Sequence, residues 1–351
     1  MTGRDVLDEA YERLRRTGPE FGGDEEGNHG LTNHGPMAAE VIVRRGLDVD
    51  VQRWLDAYVP RLDGLPAAGE RIADEDWRSA LGNGKRVGDW TAYFTEQLAE
   101  RPWRDALVTW WPRLLPGIAA GATHGVIRVS HAVRALASGD SPAAVTELAH
   151  GLAFWASRSR LLPGLTPPGG RLGPADALDA VPHLAEQSGF LAHRLDRLAG
   201  LDGWPASLGA LRPPVDVEEV PVLLAELVDA ATVRYLRHAR GSPVLLVHTA
   251  TAPNAVLHTL PVLPRELWGP SLGAAWAASA AIISAYEPAR LDDRLPAAPS
   301  DSAETLDRAA RHGDEHVIKF SDTAVEVFDR TGHPDALAAA VRAGELIAPR
   351  G

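Results

Sequence analysis

The chain has 351 residues, 45% of them apolar and 23% charged, with a net charge of -12 and a pI near 5.5. That length supports a large core, and the acidic balance argues against nucleic acid as the main partner, because phosphate binding needs a basic surface. There is no cysteine, which removes disulfides, thiolate metal sites and thiol nucleophiles. The first residues, Met1-Thr2-Gly3-Arg4-Asp5, are polar with no apolar segment behind them. No signal peptide is expected from them. No uncharged apolar run reaches the roughly 20 residues of a membrane span, so a cytoplasmic protein is expected with no membrane partner.

Taken in order, Val6, Leu7, Ala10, Tyr11 and Leu14 recur at helical spacing and predict an opening helix over 5–17. Residues 21–30 are rich in Gly, Asp and Glu and read as loop. Pro36 suits a first helical turn, placing His34 just before a helix that runs to about Arg45 and closes at Gly46. Helices are expected over 50–62, 89–100 and 103–111, with a turn at Gly82–Gly88. That turn fits neither the Rossmann nor the P-loop glycine pattern. A helix is expected from Gly117 to about Ala137, then others over 142–159, 183–199 and 220–239. The segment 244–258 reads as helix broken near Pro253. The apolar 271–286 run lies in a buried helix expected over 263–287. Residues 288–300 read as loop, and 301–328 and 334–346 as closing helices. Strand signals are few. The expectation is an all-α fold, one large multi-helix domain over 1–351 with Pro/Gly-rich connections. Its first 30 residues are expected to be a peripheral helix and loop, and any boundary would fall near 165–220.

The chain carries 13 histidines and 35 basic side chains, of which only Lys85 and Lys319 are lysines. His124 and His131 stand seven residues apart on the expected 117–137 helix. They share a face, with small neighbours (Ala119, Ala120, Gly121, Ala122, Gly125) that leave room for another backbone or a bound group. Two turns separate them by about 10 Å along the axis, too far for one ion unless both side chains lean inward or the helix breaks near Gly125. Failing that, His131 is the one to give up, with His316 in its place. His34 stands in a Gly/Pro-bounded turn. His248 follows the apolar Val244–Val247, and a buried imidazole needs a partner. His29, His150, His183, His193, His238, His312 and His333 sit in polar or surface-like settings, and His258 faces elsewhere. Lys319 is flanked by Val317, Ile318 and Phe320. An ordinary lysine there would snorkel to water; a desolvated, neutral amine can instead take up CO2 as a carbamate. His333-Pro334-Asp335 matches the HxD of an iron facial triad, but reads better as the start of the last helix. The ten tryptophans mostly fall at core spacing.

Four blocks together resemble the questin oxidase-like family: Asn33-His34-Gly35-Pro36-Met37, Gly121-Ala122-Thr123-His124-Gly125 followed by His131, Val247-His248-Thr249, and His316-Val317-Ile318-Lys319. Their order is similar to that family's from about residue 30 to residue 330. The resemblance implies a mostly helical non-heme Fe(II) oxygenase. Its implied substrate is an aromatic polyketide such as an anthraquinone, altered by Baeyer–Villiger-type oxygen insertion or by ring cleavage with O2 as co-substrate. It implies His34, His124, His131 and His248 as iron ligands with Lys319 as a carbamate, and His316 in reserve or behind a ligand. Arg128, one turn after His124, is a candidate for a substrate phenolate or carboxylate, with an ordinary salt bridge as the competing reading. Asn33 is a candidate to orient His34 or touch substrate, or to cap a helix. No flavin or NAD(P) fingerprint is present, which agrees with iron carrying the oxygen chemistry. Two other functions compete. One is a metal-dependent hydrolase with carboxylated lysine, which would need a placed aspartate. The other is a non-catalytic helical binder of an aromatic metabolite.

Overall fold

The computed structural model describes residues 2–20, 32–288 and 290–349. The expected loop at 21–30, and His29 within it, lie outside them. Among the described residues the fold is all-α apart from one two-stranded sheet. No described helix is long and apolar enough to cross a membrane. The chain divides into two compact units, residues 1–161 with 261–263, and residues 162–260 with 264–351. The division falls where the Pro/Gly-rich connection at Leu162 begins.

The first unit holds α1 (Gly3–Leu14), α2 (Gly35–Arg45), α3 (Val51–Tyr58), α4 (Trp77–Ala80), α5 (Val87–Glu100), α6 (Trp103–Leu114), α7 (His124–Ser138) and α8 (Pro142–Arg158). The opening helix is no peripheral element. Leu7, Ala10, Tyr11 and Leu14 are buried, and α1 packs on α2 and α8. Gly46 ends α2 in the left-handed region at φ 61°, as the expected glycine stop requires. Two short strands, missed in the sequence, are β1 (Thr17–Glu20) and β2 (Leu62–Gly64), paired antiparallel. At three or four residues they are too short for period-two alternation to show.

The small residues of α7 admit another helix. A Cβ on Gly125 would stand 2.6 Å from Trp155 Cβ on α8. Arg128 on α7 forms a two-pronged pair with Glu147 on α8, Nε to Oε1 at 2.5 Å and Nη2 to Oε2 at 2.8 Å. Both are buried. Burial works against the Arg128 cation, but the Glu147 charge outweighs it and lifts the guanidinium above the ordinary arginine value. Arg128 is thus committed to a buried ion pair, and the substrate role considered for it gives way to the salt-bridge reading. His150, expected at a surface-like position, is also buried.

The second unit holds α9 (Pro174–Asp179), α10 (Leu191–Arg197), α11 (Trp204–Leu208), α12 (Val220–His238), α13 (Pro243–Leu246), α14 (His248–Thr259), α15 (Trp268–Tyr286), α16 (Ser302–His312), α17 (Glu315–Thr331) and α18 (Pro334–Leu346). The helix expected over 183–199 shrinks to α10. The 244–258 segment breaks at Val247, and Pro253 sits inside α14. Pro253 leaves the Thr249 carbonyl without its helical donor, and the Ser279 hydroxyl donates to that carbonyl at 2.8 Å. The 301–328 segment is two helices. Gly313, at φ 77°, ends α16, and Asp314 caps α17 by accepting from the His316 and Val317 amides. His333 caps α18, accepting from the Asp335 amide, so the HxD match is a helix start. Trp90, Trp110, Trp111, Trp155, Trp204 and Trp276 are among the most buried side chains of the molecule and form core.

Two outcomes are expected. Gly125→Ala should destabilise the protein by about 2 kcal/mol, because the new methyl meets backbone-fixed Trp155 atoms; urea unfolding measures it. His150 is depressed from 6.5 to about 3 by burial and by the Arg128 charge. The unfolded chain therefore takes up this proton below 6.5 while the folded chain does not until about 3. Stability should fall as pH drops through that window, by at most about 1.4 kcal/mol per pH unit for this group. The urea midpoint of His150→Leu should fall less steeply over the same range.

Candidate metal centre

In the first unit, His34 and His124 meet. Their Nε2 atoms stand 2.8 Å apart, with the rings edge to face at 83°. His34 arrives from the turn before α2. Asn33 shapes that turn by accepting from the Gly35 amide at 3.1 Å and donating to Thr17 Oγ1 at 2.8 Å. Gly35 is the first residue of α2, so the Oδ1 contact is that of the helix-capping role considered for Asn33. Glu20, at the end of β1, accepts from His34 Nδ1 at 2.6 Å. The same carboxylate accepts from the Tyr58 hydroxyl and from Arg61 Nη2, each at 2.6 Å.

His124 is set differently. The helix expected from Gly117 does not run through to it. Gly121, Ala122 and Thr123 take left-handed backbone angles at φ 58°, 52° and 63°, and α7 starts afresh at His124. Left-handed geometry costs an L-residue about 1–2 kcal/mol, and a β-branched threonine there is a true outlier. The turn brings the Gly121 carbonyl onto His124 Nδ1 at 2.6 Å. The break therefore precedes both histidines instead of separating them, and His131 lies two turns on along an unbroken α7. His131 Nδ1 lies 2.7 Å from Glu40 Oε2 and 2.8 Å from the donor Arg134 Nη2, and Arg44 and Arg134 hold the same carboxylate. Burial works against the Glu40 anion, but Arg134 and the His131 hydrogen bond outweigh it and hold its pKa down to about 2. Among the described residues, His131 belongs to no group of three His or carboxylate donor atoms within 4.8 Å of one another. The same is true of His248 among the described residues.

In the second unit, His248 opens α14 and donates Nδ1–H to the Leu245 carbonyl at 3.1 Å. Its ring packs edge to face on that of His316, centroids 5.5 Å apart. Burial, then the His316 and Lys319 charges, push His248 well below the usual histidine pKa, so it is neutral. Lys319 is 4% exposed and does not snorkel. Asp314, Glu315 and His316 are all buried, with donor atoms within 4.8 Å of one another. His316 Nδ1 lies 3.6 Å from a carboxylate oxygen of each acid. Burial works against the Asp314 anion, but the nearby His316 ring and the His316 and Val317 amides outweigh it and lower its pKa.

One pattern joins three of the four expected imidazoles. His34, His124 and His248 each spend Nδ1 on a carboxylate or a backbone carbonyl. An acceptor at Nδ1 keeps the proton there and leaves Nε2 as a lone pair, which is how metal-binding histidines are oriented. For His34 and His124 the consequence is sharper. Two lone pairs facing at 2.8 Å repel unless a cation, proton or metal, lies between them. Two cis ligands about 2.1 Å from one ion stand about 3 Å apart, so a small opening of the pair fits a metal. Neutral imidazoles suit iron, copper, nickel or zinc.

Glu20, Glu40, Tyr58 and the Asp314–Glu315 pair were not singled out in the sequence. Glu40 carried a signal: it is the one carboxylate among Met37, Ala38, Ala39, Val41 and Ile42, and a charge in an apolar run needs a partner. Glu20 carried none. A comparison with models of known protein families and a search of curated proteins find no match to this chain.

Nitrogen NMR of the metal-free protein at neutral pH should find the His248 ring proton on Nδ1. A proton on its Nε2 would overturn the donor assignment.

Proposed function

We propose that the protein is a non-heme iron oxygenase acting on an aromatic, anthraquinone-like substrate, by oxygen insertion or ring cleavage. The observation that carries the reading is the His34–His124 pair, with both Nδ1 atoms committed and the two Nε2 atoms 2.8 Å apart. The choice of iron and of the substrate class comes from the resemblance of the four sequence blocks. Bound iron supplies the one-electron chemistry with O2. The chain's own part is to hold neutral imidazoles in place. Glu20 and the Gly121 carbonyl fix the protons of His34 and His124 on Nδ1. In the second unit the proposed donors are His248, His316 and Lys319, the last as a carbamate whose formation from amine and CO2 releases one proton.

A second reading has an observation behind it. Hydrolases with carboxylated lysine add an aspartate, and Asp314 lies beside His316. That arrangement favours a zinc-dependent hydrolase. Metal analysis on protein purified without oxygen, followed by O2 uptake with hydroxylated anthraquinones, separates the readings. Iron with substrate-dependent O2 uptake supports the oxygenase; zinc with no O2 uptake supports the hydrolase; no metal leaves a binder of aromatic metabolites. His34→Ala and His124→Ala should each lose bound metal, and Glu20→Gln should weaken it by about tenfold. A Lys319→Ala variant with full metal and activity would remove the carbamate.

A further inference from the structure

Tyr58 and Trp54 sit one turn apart on α3. Their rings stack, centroids 5.0 Å apart and 13° from parallel. Tyr58 is buried and Trp54 is partly exposed. The Tyr58 hydroxyl donates to Glu20 Oε1 at 2.6 Å, the same oxygen that accepts from His34 Nδ1 at 2.6 Å. A continuous run therefore leads from a partly exposed indole, through a stacked phenol and two short hydrogen bonds, to an imidazole of the His34–His124 pair. An aromatic pair at this spacing also stabilises a short helix, by about 0.5–1.5 kcal/mol beyond area burial. The hydroxyl has a structural task too, accepting from the His34 amide at 2.5 Å. Neither task accounts for a phenol seated on the carboxylate that orients His34. A phenol gives up an electron far more readily when an adjacent base takes its proton at once, and Glu20 Oε1 is such a base. Arg61 Nη2 anchors the other oxygen of that carboxylate at 2.6 Å, so the acceptor is held in position.

We propose that Trp54 and Tyr58 form a one-electron conduit between solvent and the centre to which His34 belongs. The proposal rests on the reading of His34 as a metal ligand. In the forward step Tyr58 would give up one electron towards an oxidised metal held by His34, its O–H bond would break, and the proton would move to Glu20 Oε1, leaving a neutral phenoxyl. Trp54 then returns an electron to the phenoxyl as the proton comes back from Glu20. A one-electron reductant in solvent, such as ascorbate, refills Trp54. The sum would be one electron passed from the reductant towards the His34 centre, with the Tyr58 proton returned and the proton lost by ascorbate released to solvent. This gives the oxygenase a built-in route for external reducing equivalents.

The first test uses metal-free protein and a ruthenium polypyridyl photo-oxidant in a flash-quench experiment read by EPR. Wild type should give a phenoxyl radical that disappears in Tyr58→Phe, and Trp54→Phe should lower its yield several-fold. Trp54→Phe leaves every Tyr58 hydrogen bond in place, so it reports even if Tyr58→Phe folds poorly. An unchanged phenoxyl yield in Trp54→Phe, or an unchanged signal in a folded Tyr58→Phe, overturns the conduit. In a second test, ascorbate should reduce peroxide-oxidised, iron-loaded Trp54→Phe several-fold more slowly than wild type at equal iron content. Equal rates at equal iron content overturn the conduit alone. A wild-type protein that takes up no iron overturns the proposed function instead, and the metal-free photochemistry still decides the conduit.

Discussion

Two imidazole nitrogens facing each other at 2.8 Å, with both partner nitrogens already committed, set the terms for much of the first unit. Such a contact is repulsive between neutral rings, and it holds only if the surrounding chain imposes it or a cation relieves it. The surroundings are built to impose it. On one side a carboxylate, a phenol and an arginine converge on His34. On the other, three residues in the left-handed region turn a carbonyl onto His124. Strain of this kind survives only where packing over-determines it, and it gathers at functional sites.

Two buried charged clusters of the first unit follow one rule. Glu40 is held by two arginines and His131, and Arg128 by Glu147. A charge left alone in a helical core would cost several kcal/mol, so each is paired. Such pairs add little net stability against an apolar core. Their value lies in fixing side chains that apolar packing would leave free to turn. The second unit shows the same habit at the start of α17, where Asp314 caps the helix and stands beside His316.

Much of the fold was legible residue by residue. Helical spacing, Pro36 and Gly46 placed α2 almost to the residue, and α12 and α18 were equally clear. The failures share a cause. Gly121-Ala122-Thr123, Val247 and Gly313-Asp314 each interrupt a segment whose apolar pattern continues across the break. Periodicity cannot see a backbone turn that leaves the pattern intact. Of the expected ligands, His34 and His124 meet, and His248 lies against His316 in the second unit. His131 keeps to Glu40. The acids that orient these rings were nearly invisible, because a glutamate on a short strand and an acid in a helix cap read as ordinary surface residues.

The sequence by itself determined the all-α class and the histidines worth watching, because both rest on residue type and local spacing. It also ruled out cysteine chemistry and the familiar nucleotide loops. Only the tertiary structure decided which nitrogen of each imidazole faces an acceptor, which carboxylates reach them, and that Arg128 is already paired. Those outcomes depend on contacts between residues far apart in the chain, such as Glu40 with His131 and His34 with His124. A hydrogen bond has a length and a direction, and spacing along a sequence encodes neither.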